Sequence, residues 1–190
     1  MSTPNPISRP LVATAAALFA AGVLTGATVY ARRSDGPAIH HDGTSAWAVH
    51  LVLTALAVAA VAVLGARGRL RATLRAPFTR AVGVRVRLTV RQAVRHPGAA
   101  LRAVVALPFA ALFLYGFWRA GEQVLAGLDP HFTADAWGGP GYLGAMYCHY
   151  LDGALLMALA ALALHGLLLG RRTVGAGVRA SSGVGMVDAR

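Results

Sequence analysis

Four apolar stretches constrain this chain more than any other feature, because each matches the thickness of a bilayer's hydrocarbon core. They run over about 11–30, 46–66, 99–118 and 142–170. About 20 helical residues cross about 30 Å of hydrocarbon, so each can span once, and the fourth is long enough to tilt or project beyond the bilayer. Helices are the expected spanning form. A membrane barrel needs short segments of alternating hydropathy and a longer chain. Composition agrees: 56% of residues are hydrophobic and 13% are charged, against about 25% in an ordinary soluble domain. Too little charge remains to cover a water-facing surface. The expected fold class is therefore all-α: an integral membrane four-helix bundle over residues 1–172, with a disordered tail over 173–190.

The arginines set the expected orientation. The net charge is +11, and the basic residues are all arginine. Ten run from the end of the second stretch into the start of the third, Arg67 to Arg102, while Arg9 precedes the first stretch and Arg171, Arg172, Arg179 and Arg190 follow the fourth. The other two connections hold only Arg32, Arg33 and Arg119, together with Asp35, Asp42, Glu122, Asp129 and Asp135. By the positive-inside rule the N- and C-termini are cytoplasmic, and the loops around His40 and Trp137 face outward from the cell membrane. The lipid bilayer thus accounts for the basic charge. Nucleic acid is not an expected partner, since no recognition fold accompanies the arginines. The single cysteine, Cys148, excludes an intramolecular disulfide and Cys-rich zinc or iron–sulfur sites within one chain, and no metal site is expected.

In the long basic connection, Arg67, Arg71 and Arg75 recur every fourth residue, as do Arg87, Arg91 and Arg95. Val86, Val90 and Val94 form an adjacent apolar row. The pattern predicts a basic amphipathic helix on the inner leaflet, attracted to anionic lipid. Pro97 suits the first turn of the third span. The outer segment Gly121–Gly141 reads as ordered turns from its Gly and Pro content. Trp118, Trp137 and Tyr142 suit the aromatic belt. Gly144 and Gly153 allow close helix approach, and Pro108 removes a backbone donor inside the third span.

Ionisable residues inside a span are costly and mark functional candidates. The fourth span carries Tyr147, His149, Asp152 and His165. His149 and Asp152 are three apart and share a face. Counted from Tyr142, Asp152 lies about 15 Å along the helix, near mid-depth. Arg119 and Glu122 share a face at the outer end of the third span, so an Arg119–Asp152 or a Glu122–His149 contact is within reach if spans three and four are neighbours. His50, about one turn into the second span, completes an outward-opening polar pocket. The competing reading treats the same groups as hydrogen-bonding glue between helices. His40, His41 and Asp42 read as a solvated loop.

The second half of the chain carries Phe117-Trp118-Arg119, Leu128-Asp129-Pro130, Gly139-Pro140-Gly141-Tyr142-x-Gly144 and His149-Tyr150-Leu151. In these it resembles the DoxX/DoxD group of integral membrane proteins, which includes the small subunit of thiosulfate:quinone oxidoreductase. The Arg-bearing span is third of four here, whereas it comes early in that group. The resemblance implies a small bundle serving as a subunit of a quinone-linked redox complex. A quinone head group would then meet Arg119 and His149, with Asp152 or Glu122 handling protons. Two alternatives stay open: a haem b cytochrome with His50 and His149 as axial ligands, and a non-catalytic structural or partner-binding protein. A transporter with four spans would need a homo-oligomer. No phosphate loop, nucleophile elbow or metalloprotease motif is present.

Overall fold

A computed structural model describes residues 6–170. The protein is an all-α membrane protein. Helices α1 (Arg9–Ala31), α2 (Trp47–Ala66), α5 (Pro97–Ala126) and α7 (Tyr142–Leu167) are long and apolar enough to cross a bilayer. Three short helices join them: α3 (Leu70–Arg75), α4 (Arg80–Ala93) and α6 (Pro130–Thr133). The tail expected to be disordered, 173–190, lies outside the described residues, as do Arg171 and Arg172.

The spans begin and end where local chemistry allows. Pro sits in the first turn of α1, α5 and α6, where its missing N–H has no helical partner to lose. At the other end of α2, Gly68 adopts a φ of +64° and turns the chain into α3. The basic connection is two helices and not one. Ala76–Phe78 forms a 3-10 turn, and Pro77 cannot donate into a continuing α-helix. The third span, expected over 99–118, continues to Ala126. A hydropathy limit stops at the first charge, but Arg119, Glu122 and Gln123 are all good helix formers. The helix also passes through Pro108 without ending.

Helix α5 is the hub, packing against α1, α7 and α4, while α2 touches mainly α7. The α1–α5 contact is backbone against backbone. Gly22 and Gly26 are one turn apart on α1, and Gly121 faces them from α5. A Cβ at Gly22 would stand 1.9 Å from the Trp118 carbonyl oxygen, and one at Gly121 would stand 2.0 Å from that of Phe19. Trp118 adds a hydrogen bond, its indole N–H donating to Thr25 Oγ1 at 3.3 Å. With no hydrophobic drive inside lipid, such close approach supplies the dispersion contact that holds spans together. Gly144 also serves close packing, but against the carbonyl of Gly138 in the preceding loop, and Gly153 has nothing near it.

The two connections at the Trp137 end are stitched to each other. Asp135 accepts from the His41 amide and from its ring Nδ1, both at 2.8 Å, and His131 Nε2 donates to the Gly36 carbonyl at 3.1 Å. The hydrogen bonds from His41 hold the Asp135 carboxyl below its ordinary range. A carboxyl with a depressed folded-state pKa contributes its stabilisation in full above the ordinary value of about 3.9, and loses it as pH falls through the lower folded value. The His41 amide resonance in NMR should therefore keep its hydrogen-bonded shift through pH 4 and move only below it. In Asp135→Asn that low-pH transition should be missing; a transition that persists would show that Asp135 does not govern the latch.

Candidate functional site

His50 lies in the first turn of α2 and is 1% exposed. Its Nδ1–H donates to the Ala46 carbonyl at 2.8 Å, and its Nε2 lies 3.1 Å from Asp152 Oδ2 on α7. Both ring nitrogens thus face acceptors. Either an imidazolium donates to the carboxylate, or a protonated carboxyl donates to Nε2; in both cases the pair holds one proton between its two members. Close by, Tyr147 hydrogen-bonds Thr54, and its ring stacks on Trp47 at 5.7 Å. Trp137 tilts over His50 at 5.5 Å, and its carbonyl accepts from the Ala46 amide at 2.8 Å. All these contacts fall within the first two turns of α2. Tyr147 is thereby committed to joining α2 and α7.

The pairing corrects the partners expected from the sequence. Asp152 is level with His50, the fourth residue of α2, about 5 Å along from its Trp47 end. The reason is that α7 is six residues longer than α2 and starts above it. Asp152 takes His50 and not Arg119. Arg119 instead pairs with Glu122 one turn along α5, and its guanidinium lies 5.1 Å from the centre of the Phe132 ring. Glu122 is buried, so this pair neutralises a carboxylate beside the α1 contact.

Between α5 and α7 lies a cleft of 340 Å³. Arg119, Gln123, His149 and Asp152 supply its polar side, with Leu112, Leu156 and Met157 among its apolar walls. His149 is half-buried there. It makes no hydrogen bond among the described residues, although Arg119, Asp152 and His50 all act on it electrostatically. The cleft therefore presents one imidazole without a partner, one guanidinium and one carboxylate shared with His50. Such a surface can donate to a carbonyl oxygen and can supply or accept a proton. Its size falls within the range of small-molecule sites, about 300–1,000 Å³. Of the six residues singled out from the sequence, Arg119, His149 and Asp152 line this cleft, Glu122 and His50 hold two of them, and Tyr147 stands apart.

The motif residues of the second half have local duties as well. Asp129 caps α6 by accepting from the His131 amide at 2.9 Å, with Pro130 at the first helical position. Gly139 has a φ of +85°, and Gly138 lies against the Gly144 carbonyl. Tyr142 and Tyr150 donate to carbonyls of Val124 and Ala120 on α5. The haem alternative fits poorly. An axial ligand needs a free ring nitrogen, and His50 has both engaged by Ala46 and Asp152.

Two features were not anticipated. Arg85 is not a lipid-facing residue: it donates to the His165 and Leu168 carbonyls, both at 2.5 Å, and to His165 Nδ1 at 3.1 Å. It thus meets carbonyls that the end of α7 leaves unsatisfied. The Gly22-x-x-x-Gly26 spacing, a known signal for close helix contact, was legible and unused. Compared with known proteins, the chain matches no family model, no curated protein and no solved structure.

Proposed function

We propose that the α5–α7 cleft receives the polar head of a lipid-soluble quinone, and that the protein is a small, DoxX-like membrane subunit of a quinone-linked redox complex. The observation that carries this reading is His149. It is a half-buried imidazole without a hydrogen bond among the described residues, beside Arg119 and Asp152, in a cleft with apolar walls. A quinone offers two carbonyl oxygens on an apolar ring. Arg119 and a neutral His149 can each donate to one of them, and the hydrocarbon walls accept the ring and tail. Reduction of a quinone consumes two electrons and two protons. The electrons come from a redox partner subunit, as in the group this chain resembles; the Asp152–His50 pair passes one proton and water at the open mouth of the cleft supplies the other. Orientation follows the arginines: the termini and the α3–α4 connection are cytoplasmic, and the cleft lies in the outer half of the bilayer.

Tryptophan quenching in detergent, titrated with a short-chain quinone analogue, tests this reading. Wild type should saturate. His149→Ala and Arg119→Gln should each weaken binding about tenfold, the worth of one hydrogen bond to a charged or well-placed group. Unsaturable quenching, or equal affinity in all three proteins, would sink the proposal.

A second reading has its own observation. The His50–Asp152, Tyr147–Thr54 and Trp47–Tyr147 contacts all serve to hold α2 to α7, which is what a purely structural bundle requires. The two readings separate at His149, which holds nothing together.

A further inference from the structure

Helix α4 has two unlike sides. One side is bound to the bundle. Arg85 clasps the end of α7, and buried Thr89 accepts from the Leu169 amide at 2.9 Å. The start of α4 is held by the segment that leads into α1: the Ser8 amide donates to the Phe78 carbonyl at 2.7 Å, and the Arg80 amide to that of Pro6 at 3.0 Å. These ties place α4 at the end of the bundle where α1 and α5 begin and α7 ends, and they fix its rotation.

The opposite side is uncovered and carries two parallel rows. At 100° per residue, Val86 and Val90 step along one line of α4, and Arg87 and Arg91 step along the line beside it; Val94 and Arg95 follow in the turn that closes the helix. The valines are 42%, 58% and 87% exposed. All three arginines are exposed, and none has an acidic partner among the described residues. Beside the arginine row, at the C-terminal end of α4, lies an open concavity of 520 Å³ lined by Leu88, Arg91, Gln92, Val94 and Arg95.

We infer that this face of α4 is a seat for an anionic phospholipid: the phosphate lies between Arg91 and Arg95, Gln92 hydrogen-bonds the headgroup, and the valine row enters the acyl region. Charge complementarity selects the occupant. A cationic row with no carboxylate paired to it among the described residues, running beside exposed hydrocarbon at the end of four spans, matches a surface that is negative at the headgroup and apolar just below it. A zwitterionic leaflet satisfies the valines but leaves the arginines without net counter-charge. Because Arg85 and Thr89 preset the rotation of α4, lipid binding needs no refolding of the connection, so the seat exists before the lipid arrives. This inference is independent of the quinone reading, since it uses the other end of the bundle.

Electron paramagnetic resonance on the full chain, reconstituted in phosphatidylcholine, gives the test. Spin-labelled phosphatidylglycerol and phosphatidylcholine are compared for the fraction immobilised at the protein surface. Wild type should prefer phosphatidylglycerol, and Arg91→Gln/Arg95→Gln should remove most of that preference. One basic residue near an anionic leaflet is worth about a fivefold change, so the pair should lower the selectivity of this seat by roughly 25-fold. Arg32→Gln/Arg33→Gln removes the same charge at the other end and should leave the preference unchanged. Three results would overturn the inference: equal preference in the α4 variant and wild type, loss of preference in the Arg32/Arg33 variant, or displacement of the labelled lipid by millimolar inorganic phosphate. Sedimentation of wild type and the α4 variant in detergent supplies a fourth. A wild-type dimer that the α4 substitutions dissociate would make this face a contact between copies, and the lipid seat would be wrong.

Discussion

Substituting valine for Gly22 should separate α1 from α5 and cost most of the bundle's stability. The added Cβ would meet the Trp118 carbonyl oxygen at 1.9 Å and the Glu122 amide nitrogen at 2.8 Å. Both are backbone atoms inside a helix, so neither can swing aside as a side-chain tip would. Overpacking of ordinary cores costs about 1–3 kcal/mol, and relief here requires moving a whole span, so a loss of about 3 kcal/mol or more is expected. Gly166→Ala is the control. Nothing lies within 4 Å of its Cβ position, and its helix propensity improves, so stability should hold or rise by up to about 1 kcal/mol. Reversible unfolding in mixed detergent micelles measures both. If the two variants unfold together with wild type, the α1–α5 interface is not the principal contact of this protein.

The second large effect concerns the tie between α2 and α7. Removing one member of a buried, hydrogen-bonded pair of ionisable groups leaves the other without compensation, at a cost of about 3–5 kcal/mol. His50 is almost fully buried and Asp152 is its partner, so Asp152→Leu should lie in that range at pH 7. Asp152→Asn retains a neutral hydrogen bond to Nε2, and such bonds between spans average about 0.6 kcal/mol with a maximum near 1.7. Its cost should therefore be well below that of leucine. The double variant His50→Leu/Asp152→Leu should recover much of the loss, because neither buried polar group is then orphaned. A double-mutant cycle under the same unfolding conditions reads the coupling directly. If the losses from the two leucine substitutions simply add, the 3.1 Å contact carries no coupling, and α2 is held by the Trp47–Tyr147 stack and the Thr54 hydrogen bond instead.

The elements were largely legible because a bilayer imposes one simple demand, enough consecutive apolar residues to bury every backbone bond in hydrocarbon. The four spans follow from it to within a few residues at most ends. The exception is informative. Arg119 ended the third stretch on hydropathy, yet α5 continues to Ala126, since helix formation depends on backbone hydrogen bonding and not on lipid solubility. The valine and arginine rows along α4 and the turn that closes it were equally readable, because their members are four residues apart.

The site was legible in its residues and not in its pairings. His50, Arg119, Glu122, His149 and Asp152 stood out because ionisable groups are rare within spans. Which of them would meet depended on the rotation of each helix and on its height relative to its neighbour, and no local pattern encodes either. Glu122 met Arg119 and not His149, since an i, i+3 partner on the same helix needs no second span to arrive. Asp152 met His50, 102 positions away, since α7 rises past the start of α2 and lowers Asp152 to the level of its first turn. Arg85 reached the end of α7 for the same reason: the open carbonyls of a helix terminus attract a guanidinium wherever packing brings the two together.

The order of the residues thus sets how many helices cross and which groups are too polar to be comfortable there. It does so through hydrophobicity and backbone bonding, which act over one or two turns. Packing settles which polar groups face one another and leaves His149 open to a cleft, because helix height and rotation come from contacts as tight as Gly22 on Trp118, made between segments about a hundred residues apart.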